Sequence, residues 1–336
     1  MAYPKIIPVK QPLNTQEKPS KNKEIIIAFI PFIGFRTIQF HNLKDDTPLA
    51  ENDYPSGSFY VEHLEDREPS AIRLVTELLV KAIDSHAEII VFPEYIMSKQ
   101  MLEAIKAKLS ELTPLELKLV FAGTTYELDE EKLRGNNVMH ILNGRGIEIG
   151  KYYKSTPFNN EADKPHHATT ISDDRTGEWP FSCIELLSDP GKECLLLDVE
   201  KWGRILPSVC RDFIDGDYTD QLVKTFCPSF VVIPAWSHSV SSFDSNMNSY
   251  ANTIHTMSLL CNSCNAVNQR GEDDMPIASI CMPRKVNRAM EARLEKQTRK
   301  ADCRKTCEDC GGCIVFYHID FSKQQPDFHV EMKKSK

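Results

Sequence analysis

Ala87-Glu88-Ile89-Ile90-Val91-Phe92-Pro93-Glu94 decides the fold. The run Ile89 to Phe92 is apolar without alternation, which suits a strand buried on both faces, and Pro93 stops it. A carboxylate stands immediately beyond the strand. Ile25-Ile26-Ile27-Ala28-Phe29-Ile30 and Lys118-Leu119-Val120-Phe121-Ala122-Gly123 repeat the pattern on either side. Between the first two runs, residues 70 to 85 place Ile72, Val75, Leu78, Leu79 and Ala82 on one helical face, with Ser70 as the cap. Between the second and third, a helix runs from about Lys99 to Leu109. Strands alternating with helices define an α/β protein.

Further out the alternation is interrupted. Asn137 to Leu142 and Ile147 to Tyr153 read as a hairpin across Asn143-Gly144-Arg145-Gly146. Leu195 to Val199, Arg204 to Val209 and Phe230 to Pro234 read as strands. Ser249 to Cys264 reads as a helix, and Ala266-Val267-Asn268 starts another strand. Val286 to Ala301 reads as a very polar helix and Ile314 to Ile319 as a last strand. Hairpins within an α/β pattern imply mixed sheets in more than one layer. No repeat and no linker between two domains is visible. Residues 1–22 read as a flexible arm, 23–322 as one domain with insertions at about 36–68 and 284–313, and 323–336 as a tail.

The chain has 336 residues, 41% of them hydrophobic, with 40 basic and 48 acidic side chains. A mean hydropathy of -0.36 and a pI near 5.7 describe a soluble globular protein without a nucleic-acid-binding surface overall. The longest apolar run, Ile25 to Phe35, contains Pro31 and is too short to span a bilayer. The N-terminal residues have lysines but no apolar core of a secretory signal. The expected location is therefore cytoplasmic. Eleven cysteines in such a chain point to reduced thiols, a metal site or a catalytic thiol rather than a disulfide framework.

Glu94, Lys154 and Cys210 each stand just beyond a strand, where open α/β sheets form their crevices. Singly they have ordinary readings: a solvated carboxylate, a surface lysine and a small buried thiol. Together they supply a base, a cation and a nucleophile. A thiolate attacks a carbonyl or nitrile carbon, a carboxylate takes the thiol proton and later activates water, and an ammonium stabilises the oxyanion. Charged neighbours would tune the thiol.

These residues lie in Phe92-Pro93-Glu94, Gly150-Lys151-Tyr152-Tyr153-Lys154 and Cys210-Arg211-Asp212, in that order. The arrangement resembles the nitrilase superfamily of carbon–nitrogen hydrolases and its Cys-Glu-Lys triad. Phe121-Ala122-Gly123-Thr124, Asn136-Asn137 with Gly146, Pro234-Ala235-Trp236, Asn265 to Gly271 and Gly312 to Asp320 add to the resemblance, which covers about residues 23 to 322. It implies a four-layer α-β-β-α sandwich with mixed β-sheets, paired into a homodimer or higher homo-oligomer. It implies Glu94 as general base, Lys154 as oxyanion stabiliser, Cys210 as nucleophile and the Arg211 N–H as second oxyanion donor. A supporting glutamate lies between the lysine and the cysteine, with Glu161 the first choice and Glu178 the alternative. Trp236 and Arg211 are expected at the substrate. Catalysis then needs no cofactor.

The sequence also departs from that family. Pro207 removes a ladder donor before the cysteine, so the strand end is expected to be exposed or bulged. The C-W-E of nitrile hydrolases is absent; Cys210-Arg211-Asp212 points to an amide, ureido or carbamoyl substrate. Arg211 either lines the pocket and favours an acidic substrate group or pairs with Asp212 or Asp215.

Cys303, Cys307, Cys310 and Cys313 form a dense cluster that either binds Zn²⁺ or an iron–sulfur cluster or is a reduced loop; Cys261 and Cys264 form a further C-x-x-C pair. From Arg284 to Lys305, nine Lys or Arg face three acidic residues. Such a segment contacts an acidic partner, substrate or nucleic acid, or is simply solvated; its lack of aromatic residues weakens the nucleic-acid reading. His166, His167 and His238 read as pocket or surface histidines. The rival to a hydrolase is a nitrilase-like scaffold acting as a metabolite-sensing or interaction module, with the cysteine-rich basic insertion as its partner or metal site.

Overall fold

A computed structural model describes residues 5–9, 24–31, 38–42, 58–63, 65, 68–129, 134–160, 183–185, 187, 195–200, 202–215, 217–237, 239–264, 276–287, 289–298, 312–321 and 327–334. One seven-stranded sheet contains β2 (Glu24–Phe29), β5 (Ile89–Phe92), β6 (Leu119–Asp129), β7 (Arg134–Asn143), β8 (Glu148–Tyr153), β17 (Cys313–Asp320) and β18 (Asp327–Lys334), in the order β18-β17-β2-β5-β6-β7-β8. The other contains β1 (Lys5–Val9), β11 (Leu195–Val199), β12 (Gly203–Pro207), β13 (Phe230–Ala235), β14 (Met257–Asn262), β15 (Pro276–Val286) and β16 (Ala289–Thr298), in the order β1-β11-β12-β13-β14-β15-β16. A small third sheet has the order β3-β4-β10-β9, from β3 (Ile38–Asn42), β4 (Ser58–His63), β9 (Asn159–Asn160) and β10 (Cys183–Glu185).

The two large sheets pack face to face. Ile27, Phe29, Val91, Phe121 and Ile141 from one meet Leu197, Ile205, Val232 and Leu259 from the other. Helices α1 (Glu68–Asp84) and α2 (Lys99–Leu112) cover the outer face of the first sheet through Val75, Leu78, Leu79, Ile105 and Leu109. Helices α3 (Arg211–Asp215), α4 (Asp217–Phe226) and α5 (Ser241–Thr253) cover the second through Phe213, Val223, Phe243 and Met247. This is the expected α-β-β-α sandwich with mixed sheets. Apolar strands such as β5 and β13 are buried along their whole length because one face meets the other sheet and the other meets helices.

The central strands set the site. Strand β5 is parallel to β2 and β6, and β12 is parallel to β13, with Pro207 opposite Val232. The polar residues after β5 and after β12 therefore leave their sheets at strand carboxyl ends. Pro207 is buried and in register, not exposed or bulged. The pairing of β12 with β11 ends at Ile205, so no partner on that side awaits the missing N–H.

Several local readings change. The segment 249–264 divides into the end of α5 and β14, with His255 at φ 64 between them. A short apolar run does not distinguish a strand from a buried helix. The segment 286–301 contains β16, not a helix, and pairs with β15 across a turn holding Asn287 at φ 47. Its Ala, Glu, Arg and Lys favour a helix, but Ala292 and Leu294 alternate onto the core as a strand requires. Within 36–68, β3 and β4 pair antiparallel. Within the N-terminal arm, β1 adds to the sheet edge beside β11. The tail contains β18, paired along its length with β17. Among the described residues, no helix is long and apolar enough to cross a membrane.

Candidate active site

Cys210 lies in the sharp turn between β12 and α3. Its φ is 45°, a left-handed conformation that non-glycine residues seldom adopt. The turn is fixed from both sides: Cys210 N donates to Pro234 O at 2.9 Å, and Phe213 N donates to Cys210 O at 3.0 Å. The thiol is buried and its Sγ lies 3.8 Å from Trp236 O.

Glu94, fully buried beyond β5, meets it from the other sheet. Its carboxylate accepts from Lys154 Nζ at 2.8 Å, Asn137 Nδ2 at 2.9 Å and Trp236 N at 3.0 Å. The backbone at Glu94 needs glycine opposite it. Gly123 has φ +67, and a Cβ there would stand 2.3 Å from Pro93 O. Tyr95 N is anchored by Thr124 Oγ1 at 2.8 Å.

Lys154 follows β8, where its N–H donates to Asn137 O at 2.9 Å. Its ammonium lies between two carboxylates, Glu94 at 2.8 Å and Glu185 Oε2 at 2.5 Å. Asn137 Nδ2 also reaches both, 2.9 Å from each. Glu185, at the end of β10, additionally accepts from Phe158 N at 2.9 Å. Three charges buried together are tolerable only because they compensate and share these hydrogen bonds.

The electrostatics divide the labour. Burial pushes the Glu94 carboxyl above its ordinary range; Lys154 opposes this and Glu185 reinforces it. Burial alone would lower the Lys154 ammonium, but Glu185 and Glu94 outweigh it and hold the lysine charged. Burial and then Glu94 push the Cys210 thiol well up, against the pull of Lys154. The expected tuning by charge thus exists, but it does not produce a resting thiolate. The Glu94 carboxylate lies close enough to the thiol for each to shift the other's protonation.

Asp212 joins the cysteine turn to the lysine segment. Its carboxylate accepts from Tyr152 Oη at 2.7 Å, Ser155 N at 3.0 Å, Ser155 Oγ at 3.0 Å and Thr156 N at 2.6 Å. Arg211 pairs with Asp215 one helical turn on, the ion-pair alternative of its two readings. Its N–H is the first amide of α3 and has no acceptor within that helix. Trp236 contributes its backbone to Glu94 and packs edge-on against Tyr95, with ring centroids 6.3 Å apart. Tyr95 also faces Tyr126 at 6.5 Å and lies under Lys154 at 5.5 Å.

Glu94, Lys154, Cys210 and Trp236 are thus brought together. Glu161, Glu178, His166, His167, His238, Cys303, Cys307 and Cys310 lie outside the described residues, as does the strand expected at 266–268. Cys313 is buried in β17, and Cys261 and Cys264 are buried as well. Glu185 was not singled out from the sequence, nor were Tyr95 and the tether made by Asp212. A signal for Glu185 did exist: it is a lone carboxylate inside the apolar stretch Cys183-Ile184-Glu185-Leu186-Leu187.

The α-β-β-α sandwich defines the class of fold, that of nitrilase-like proteins. No family model matches the chain, and no curated protein sequence does. Among solved structures it is similar to Nit3 of Saccharomyces cerevisiae, a member of branch 10 of the nitrilase superfamily, with 13% identity and a TM-score of 0.52. That match covers 90% of this chain and 96% of the yeast protein, and it shows a shared fold. A glutamine-dependent NAD+ synthetase from Acinetobacter baumannii matches with 11% identity and a TM-score of 0.48, over 93% of this chain and 49% of that one.

Proposed function

We propose that the chain is a carbon–nitrogen hydrolase of the nitrilase superfamily, acting on a non-peptide amide, ureido or carbamoyl group through a Cys210 thioester. One observation carries the reading: the residues after three separate strands, Glu94, Lys154 and Cys210, meet in one buried centre. Core packing alone gives no reason to bury a carboxylate, an ammonium and a thiol together, since such burial is costly unless the groups serve one another.

Glu94 takes the thiol proton as Cys210 Sγ attacks the carbonyl carbon. The developing oxyanion is held by Lys154 Nζ and the Arg211 N–H. As the tetrahedral intermediate collapses, the C–N bond breaks and the amine leaves with the proton returned by Glu94. Glu94 then removes a proton from water, which attacks the thioester; collapse breaks the C–S bond and releases the acid, and Glu94 returns the proton to the Cys210 sulfur. Glu185 and Asn137 hold Lys154 and Glu94 in register throughout.

The test is amine or ammonia release from a panel of amides, ureides and carbamoyl compounds. Wild type is expected to turn over at least one class, and Cys210→Ala to lose that turnover. Undiminished turnover by Cys210→Ala contradicts the reading.

A further inference from the structure

On the first sheet, beside α1 and away from Cys210, Glu24 of β2, His318 of β17 and His329 of β18 place their side-chain donor atoms within 4.8 Å of one another. The strands explain the grouping. His318 and His329 are directly opposite in the antiparallel β17–β18 ladder, and Glu24 is opposite Asp320, two residues along β17. Side chains alternate across a sheet. Val315, Tyr317 and Ile319 face the sheet–sheet core, so His318 shares the other face with Phe316. On β18, Phe328, Val330 and Met332 face the core and His329 faces outward.

The imidazole rings are stacked, with centroids 4.2 Å apart and planes 14° from parallel. Glu24 Oε1 lies 3.4 Å from His318 Nδ1. This is a poor arrangement for two imidazolium ions, which would repel across the stack. The neighbouring cation, Lys333, is engaged by Glu331 at 3.4 Å and by Ser85 Oγ at 3.3 Å.

We propose that Glu24, His318 and His329 form a binding site for a divalent transition-metal ion of the Zn²⁺ class. Two imidazoles and a carboxylate match the donor preferences of such an ion, and water would complete its coordination. Bonds of about 2.1 Å in tetrahedral geometry hold donors roughly 3.4 Å apart, so small side-chain rotations suffice to close the set. His329 is exposed and Glu24 half-buried, which gives the ion access. One ligand from each of three adjacent strands would pin the C-terminal hairpin β17–β18 to the centre of the sheet. The site uses none of the cysteines and none of the residues of the proposed hydrolysis.

The experiment is equilibrium dialysis of the full chain against Zn²⁺, after chelator stripping, with metal content measured directly. Substituting Cys303→Ser, Cys307→Ser and Cys310→Ser in the background removes three of the four thiols of the dense cluster. That protein is expected to hold one Zn²⁺ and to gain thermal stability on loading. Adding His329→Ala, an exposed position, should weaken binding about ten-fold or more and remove the stabilisation while leaving the metal-free melting temperature unchanged. Glu24→Gln should weaken it in the same direction. Equal Zn²⁺ uptake with and without His329→Ala would overturn the proposal, as would no uptake by the background protein.

Discussion

Lys154 Nζ donates to Glu185 Oε2 at 2.5 Å, with both side chains fully buried. The same ammonium is 2.8 Å from Glu94, so Glu185 sets where the lysine stands relative to the base.

Glu185→Gln keeps the shape but removes one of the two carboxylates that hold Lys154. The ammonium would then be drawn toward Glu94. A displacement of this kind is expected to lower kcat by about a hundred-fold, with KM changing less. Steady-state kinetics on the best substrate check this; an unchanged kcat removes Glu185 from the positioning role.

Asp212→Ala strips the acceptor from Tyr152, Ser155 and Thr156 at once. Buried or half-buried donors left without partners cost about 1–3 kcal/mol each in the worst case, so a loss of about 3 kcal/mol is expected. Urea unfolding should show a lower midpoint at an unchanged slope. Because the released segment carries Lys154, kcat should fall as well. Asp212→Asn, which still accepts hydrogen bonds at one oxygen, should lie between the two.

The pH dependence follows from the raised Glu94 carboxyl. The base acts only when ionised, so activity is lost as pH falls through its pKa. Burial places that acid limb of kcat/KM above the ordinary carboxylate value of 4.5. A pH–rate profile with its acid limb at or below that value contradicts the assignment. The raised Cys210 thiol also implies slow plain alkylation at neutral pH, because little thiolate is present before substrate arrives. A substrate-like acylating agent is therefore a better probe of Cys210 than a simple alkylator.

His63 in β4 supplies a separate stability prediction. Burial lowers its pKa from 6.5 to about 4, with the backbone of Met97 pulling weakly the other way. The fold therefore favours the neutral ring. This stability is complete above the unfolded value and is lost as pH falls toward about 4, a change of about 3 kcal/mol. His63→Phe should flatten that part of the stability–pH curve; an unchanged slope would show that burial is not what His63 experiences.

Much of this molecule can be read from local sequence. Ile89 to Phe92 and Ile25 to Phe29 are buried on both faces, so their composition alone declares them strands, and Glu94 and Cys210 follow as strand-end residues. Two other segments mislead for a physical reason. Met257 to Asn262 is short and uniformly buried, and Ala289 to Thr298 is rich in helix formers but belongs to an edge strand. In both, tertiary pairing overrides local preference. Glu185 is harder still. Its partner Lys154 is 31 positions away, so only the fold brings the two together.

Intact-mass analysis followed by peptide mapping, after rapid quenching with a turned-over substrate, tests the central claim most directly. The account predicts an added mass equal to the acyl portion of the substrate, located on Cys210 and absent from Cys210→Ala. Acyl mass located on any other residue, or hydrolysis by Cys210→Ala at the wild-type rate, would contradict it.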